Sequence, residues 1–170
     1  KAFMAGAAQN LPTAAIAFDG FHVVQLANAA VDSVRREEAR DERWLKKTRW
    51  CWLKDQDKWT AKERDKMDWL PHTRLKTARA WRLKEALRDI YKVRTDAIAC
   101  TLSLKRWLHW AQRSRLAPFK ELARTIRQHW SGIVKAFDAA GLHTGYVEAV
   151  NSLLQAAKAK ARGYGSTDHF

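Results

Sequence analysis

At 170 residues the chain has the length of one domain and, with 46% of its residues apolar, enough material for a hydrophobic core. Its formal charge of +14 exceeds what solubility asks of a surface and points to a polyanionic partner, with nucleic acid favoured over an acidic membrane. No run reaches the roughly 18 to 20 apolar residues of a membrane span and Lys1 opens no secretion signal, so a cytoplasmic protein with no membrane partner is expected.

Three prolines and seven glycines leave long stretches of good helix formers, so the chain should be mainly α, with at most two or three short strands. A helix over residues 1–11 ends at Pro12 and leads into the apolar run 14–18, which reads as a strand buried on both faces and stops at the loop-forming pair Asp19-Gly20. Residues 21–41 form a helix whose broad apolar face carries Val23, Val24, Leu26, Ala27, Ala30, Val31 and Val34. The β-prone segment 49–54 is the other strand candidate. Thr60 and Glu63 have the spacing of a capping box at a helix start. Helices follow over residues 74–93, 96–114 and 118–140, the last with a stripe of Phe119, Leu122, Ile126, Trp130, Ile133 and Phe137 and a stop at Gly141. A final helix spans residues 145–162, ended by Gly163 and Gly165. Cys51 and Cys100 lack CxxC spacing and a histidine cluster, which argues against a disulfide framework and a zinc site.

The final helix has an apolar stripe through Val147, Val150, Leu154, Ala157 and Ala161, and a polar one through Glu148, Asn151, Ser152, Gln155, Lys158 and Arg162. The polar stripe has two readings. Glu148 can hold a metal ion while the amide and basic groups below it meet a phosphate backbone. Equally, an acidic residue in a first helical turn is favoured by the helix dipole, and the rest is a solvated face. Asp19 has the same ambiguity, because Asp before Gly at a strand end is usually a turn residue. Carboxylates on a strand end and on a distant helix are also the parts of a two-metal site, where ions about 3.5 to 4 Å apart stabilise the attacking and leaving oxygens of a phosphoryl transfer.

The segment AAIAFDGFHVVQLANAAVDSVRR over residues 14–36 resembles the Asp-x-Phe-His block of ISL-three family transposases, and HTGYVEAVNSLLQAAKAKARGY over 143–164 resembles the block carrying that family's catalytic Glu. TRWCWLKDQDKWT, LKTARAWRLKEALRDIY and SRLAPFKELARTIRQHW, between them, are also similar to family segments in the same order. The resemblance implies a DDE catalytic domain of RNase H-like (α/β) fold, with residues 1–54 and 142–170 contributing to that core and 55–141 forming a long all-helical insertion. It implies that Asp19 and Glu148 are catalytic metal ligands for Mg²⁺ or Mn²⁺, with His22 and Asn151 beside the site. It further implies DNA at mobile-element ends and target as partner, with cleavage and strand transfer as the reaction, in a bacterial, nucleoid-associated setting. The family's first Asp belongs upstream of Lys1, so this segment is expected to be incomplete as an enzyme. The strand at 14–18 is expected to expose an edge covered either by another chain, in a homo-oligomer such as a dimer, or by rearrangement that distorts the site.

Gln155, Lys158 and Arg162 would seat the DNA end, and Arg113, Arg115, Lys120, Arg124 and Arg127 on the middle helices would track phosphates. Between Lys105 and Lys135 only Glu121 is acidic, against eight Lys and Arg, which predicts strongly salt-dependent DNA binding. Of the nine tryptophans, Trp81, Trp107 and Trp130 are expected in the core, whereas Trp50, Trp52 and Trp59 are the candidates for base stacking. A non-catalytic basic helical DNA-binding protein, or an inactive transposase remnant, would share the composition.

Overall fold

The chain was described with a computed structural model, which divides it into two units, Lys1–Asp138 and Ala139–Phe170. The structure describes residues 20–92 and 96–138 of the first unit and Ser152 of the second, which is helical and exposed. Seven α-helices and three short 3₁₀ segments make up the described residues, without a strand among them. The helices are α1 (Gly20–Glu38), α2 (Arg49–Leu53), α3 (Ala61–Met67), α4 (Lys76–Lys92), α5 (Ala97–Arg113), α6 (Ala117–Gln128) and α7 (Trp130–Asp138).

Helix α1 is the central element. Val23, Ala27, Ala30, Val31 and Val34 recur at helical spacing and are buried, whereas Val24 is half-buried and Leu26 exposed, so the buried face is narrower than expected; the small alanines let α4 and α6 pack closely along it. Helices α4, α5 and α6 then pack in succession, with α7 folded onto α5 and α6. Trp107 on α5 packs against Phe119 on α6 with ring centroids 6.5 Å apart and ring planes tilted by 55°, and its Nε1 donates to the Leu83 carbonyl of α4 at 2.8 Å. One indole thus joins three helices, its apolar body buried and its single donor satisfied.

Two helix starts follow the sequence closely. Thr60 precedes α3 with both halves of the capping box formed, Glu63 N donating to Thr60 Oγ1 at 3.3 Å and Thr60 N to Glu63 Oε2 at 2.9 Å. Asp96 caps α5, its Oδ1 accepting from Ile98 N and Ala99 N at 2.8 and 3.2 Å.

Other expectations are corrected. The strand expected at 49–54 is helical: Arg49–Leu53 forms α2 after a 3₁₀ segment, Arg43–Thr48. Cys51 and Trp52 are both buried while Trp50 is exposed, an adjacent pair that strand alternation cannot place on one face. Trp52 Nε1 donates to Thr48 Oγ1 at 2.9 Å, a bond across four residues that helical spacing provides. Trp52 is therefore core and no stacking platform, and Trp59 is half-buried. The helix expected over 118–140 breaks at His129 into α6 and α7. Its stripe survives the break, with Ile133 and Phe137 buried and α7 packed on α5. Gly20, expected in a loop, is the buried first residue of α1, where a Cβ would lie 2.5 Å from Cδ1 of Tyr91. Glycine is required there by that close approach. The strand at 14–18, its edge, and the helices at 1–11 and 145–162 apart from Ser152 lie outside the described residues.

Candidate nucleic-acid interface

The basic surface is built by amphipathic segregation. On α5, Cys100, Leu104, Trp107, Leu108 and Ala111 face the core, which leaves Lys105, Arg106, His109, Trp110 and Arg113 outward on the opposite side. These five line one shallow depression of about 570 Å³. On α6, burial of Phe119, Leu122, Ala123 and Ile126 turns Lys120, Arg124 and Arg127 outward at helical spacing. All eight Lys and Arg between Lys105 and Lys135 are exposed.

Of the residues expected to meet DNA, Arg113 lies in the α5 depression, and Arg124 and Arg127 lie on one face of α6. Arg124 is engaged by Glu121 in an exposed ion pair. Arg115, in the turn between α5 and α6, is exposed and has a positive φ of 60°. The grouping of Lys105, Arg106, His109 and Trp110 with Arg113 had a signal in the i, i+4 spacing opposite the Leu104 and Trp107 face.

A second concavity, of about 540 Å³, opens where α1 begins, with Gly20, Gln25, Asn28, Lys54, Lys58 and Lys92 among its lining residues. Asp19 is the chain neighbour of Gly20. The Arg88 guanidinium at this cleft is held by Asp55 and by Glu85, the latter at 2.6 Å. Behind it Lys84 is buried, its Nζ donating to the Trp52 carbonyl at 2.7 Å and lying 2.7 Å from Glu85 Oε1 as an ion pair. Burial pushes the Lys84 ammonium below its ordinary pKa, against the opposing pull of Glu85. Glu63 is held below the usual carboxylate range, first by the Lys54 ammonium at 2.8 Å and then by the Thr60 amide.

Asp19, Glu148, Asn151, Gln155, Lys158 and Arg162 lie outside the described residues. His22 is exposed and meets Phe21 edge-on at 6.0 Å between ring centroids. Among the described residues no group of three His, Cys, Asp or Glu side chains is placed to hold a metal ion. Asp32, the buried carboxylate of α1, binds Arg35 at 2.7 Å and approaches Arg36 and Arg49 at 3.3 and 3.6 Å, which assigns it to the α1–α2 junction. Cys51 and Cys100 are buried, the Cys100 Sγ donating to the Ile90 carbonyl at 3.5 Å, and burial raises the Cys51 pKa. No described helix is long and apolar enough to cross a membrane.

The chain is 30% identical over 186 residues to the transposase for insertion sequence element IS1557 of Mycobacterium tuberculosis, an alignment covering 93% of this chain and 41% of that protein. It is 26% identical over 170 residues to the transposase for insertion sequence element IS1001 of Bordetella parapertussis, covering 94% of this chain and 41% of the relative. The chain thus spans about two fifths of the length of these curated relatives. No solved structure matches it. The ISL-three transposase family matches across residues 1–170, and the chain belongs to that family.

Proposed function

We propose that the protein containing this chain cuts DNA at the ends of a mobile element and joins them to a target by metal-assisted phosphoryl transfer. The observation that supports DNA as substrate is the outward placement of all eight Lys and Arg between Lys105 and Lys135, opposed by the single acidic Glu121. Such a surface binds phosphates by releasing counterions and needs no base sequence to do so. In this reading Asp19 and Glu148 are the metal-holding carboxylates, and Mg²⁺ or Mn²⁺ supplies charge stabilisation at the reacting phosphate. His22 and Asn151 stand beside them. Gln155, Lys158 and Arg162 seat the DNA end, and Arg113, Arg115, Arg124 and Arg127 track the backbone further out. An RNase H-like core with a helical insertion over 55–141, and action as a homo-oligomer, belong to the same reading.

The test is Asp19→Ala in the full-length protein, read by transposition frequency and by DNA binding in parallel. Loss of transposition with binding kept is expected. Unchanged transposition would sink the catalytic assignment of Asp19, and a parent that binds DNA without supporting transposition would favour a non-catalytic DNA-binding protein.

A further inference from the structure

The outward face of α5 carries more than charge. Trp110 is 46% exposed although its neighbour Trp107 is buried to 3%, so one helix sends one indole into the core and the next to the surface. The core does not require Trp110, because Trp107, Leu104 and Leu108 already fill the α5 contacts with α4 and α6. Around the exposed ring stand Lys105 and Arg106 five and four residues before it, His109 beside it and Arg113 three residues after, and among the described residues no carboxylate lines the depression they share. The stripe from Lys105 to Arg113 runs about 12 Å along the helix at about 1.5 Å per residue.

We propose that this depression holds unpaired nucleotides of a DNA strand, with a base stacked on Trp110 and the flanking phosphates met by Lys105, Arg106 and Arg113. An apolar ring flanked by the cations Lys105, Arg106 and Arg113 is complementary to a flat base carried on an anionic backbone, and stacking tolerates any base because every base has a π-face. Phosphate contacts alone would serve a duplex equally well, but in a duplex the faces of the bases are already covered by their neighbours. The exposed indole therefore discriminates in favour of single-stranded segments, such as those that strand cutting and joining leave beside the cut. The proposal rests on the transposase reading for the origin of those segments and deepens it by assigning them a surface.

The 170-residue chain would be titrated against a fluorescein-labelled oligothymidine of about 15 nucleotides, within the range that single-strand-binding folds cover, and against a duplex of the same length. Trp110→Ala should weaken single-strand binding about tenfold and duplex binding less than about twofold, whereas Trp110→Phe keeps a stacking face and should stay within about threefold of the parent. Equal losses on both DNAs, no loss on either, or no binding of the single strand by the parent chain would overturn the proposal. A measurement on the unmutated chain guards against misfolding of the alanine variant. A single strand carrying 5-iododeoxyuridine, irradiated in the complex, should crosslink to the peptide containing Trp110, and crosslinks confined to other peptides would reject the site. These outcomes are separate from the Asp19→Ala result. Stacking can fail with transposition still dependent on Asp19, and transposition can prove independent of Asp19 with Trp110 still binding unpaired bases.

Discussion

Glu38, at the end of α1, closes the first turn of α4 by accepting from Thr77 N at 2.8 Å and Thr77 Oγ1 at 2.7 Å, while its other oxygen accepts from Lys76 N at 2.8 Å. A cap normally comes from the residue just before its helix; here it comes from a side chain 39 residues away. The same carboxylate fixes where the two most extensively packed helices meet.

Glu38→Ala should therefore cost about 1 to 3 kcal/mol, the range for losing charge-assisted hydrogen bonds and leaving helix N–H groups without an acceptor. Glu38→Gln keeps one acceptor oxygen and should cost less. Urea unfolding of the three proteins checks the order, and a Glu38→Ala variant as stable as the parent would show that water caps α4 equally well.

Lys84 makes stability depend on alkaline pH. Its pKa is lowered by burial from the usual 10.5, so between the folded and unfolded values the unfolded chain holds more protons, and stability rises with pH. Below that window the cost of burying the ammonium is constant; above it the cost is relieved. The difference in unfolding free energy between the parent and Lys84→Met should thus shift in the parent's favour as pH climbs towards 10.5, and a flat difference would contradict the buried ammonium. At neutral pH the substitution should cost about 1 kcal/mol, since Glu85 keeps Arg88 and the lost partner of the Trp52 carbonyl is the principal penalty.

What the sequence displayed was mostly local. The Thr60–Glu63 box and the Asp96 cap are encoded within four residues, and both formed. The stripe from Phe119 to Phe137 also held as a set of buried or half-buried positions, but its spacing continues in step across His129 and so carried no sign of the break. At 49–54 the β-propensity of Trp50, Cys51 and Trp52 was outweighed by tertiary packing that buries two adjacent side chains. The Glu38 cap and the approach of Tyr91 to Gly20 are contacts between distant segments, invisible to any window of sequence. For the interface, exposure of Arg113, Arg124 and Arg127 was legible from helix periodicity and Trp107 was expected in the core, whereas the exposure of Trp110 and of the turn residue Arg115 emerged only from the packing around α5. The carboxylates Asp19 and Glu148 were named from the family resemblance and lie outside the described residues.

Arg115 offers a separation of stability from binding. At φ 60° it occupies left-handed backbone, which costs an L-residue with a Cβ about 1 to 2 kcal/mol and costs glycine little. Arg115→Gly should raise thermal stability by about 1 kcal/mol, as the side chain is exposed and its loss removes little packing. If Arg115 meets a phosphate, the same variant should bind DNA more weakly. Increased stability with unchanged affinity would remove Arg115 from the interface.

Glu121 and Arg127 should move the salt dependence of DNA binding in opposite directions. The Glu121–Arg124 pair is exposed, with 64% and 63% of the side-chain surfaces accessible, so breaking it should change stability by no more than about 1 kcal/mol. Glu121→Gln releases Arg124 to a phosphate and removes a repulsive charge, so duplex affinity should rise and the slope of log K against log salt should steepen by up to about 0.9. Arg127→Ala removes a cation that no acidic residue of its own helix engages in an ion pair, and should flatten the slope by about the same 0.9. Titrations at several salt concentrations measure both slopes. If neither changes, the outward face of α6 does not touch the duplex, and the phosphate-tracking role would fall to the cations of α5 and the α5–α6 turn.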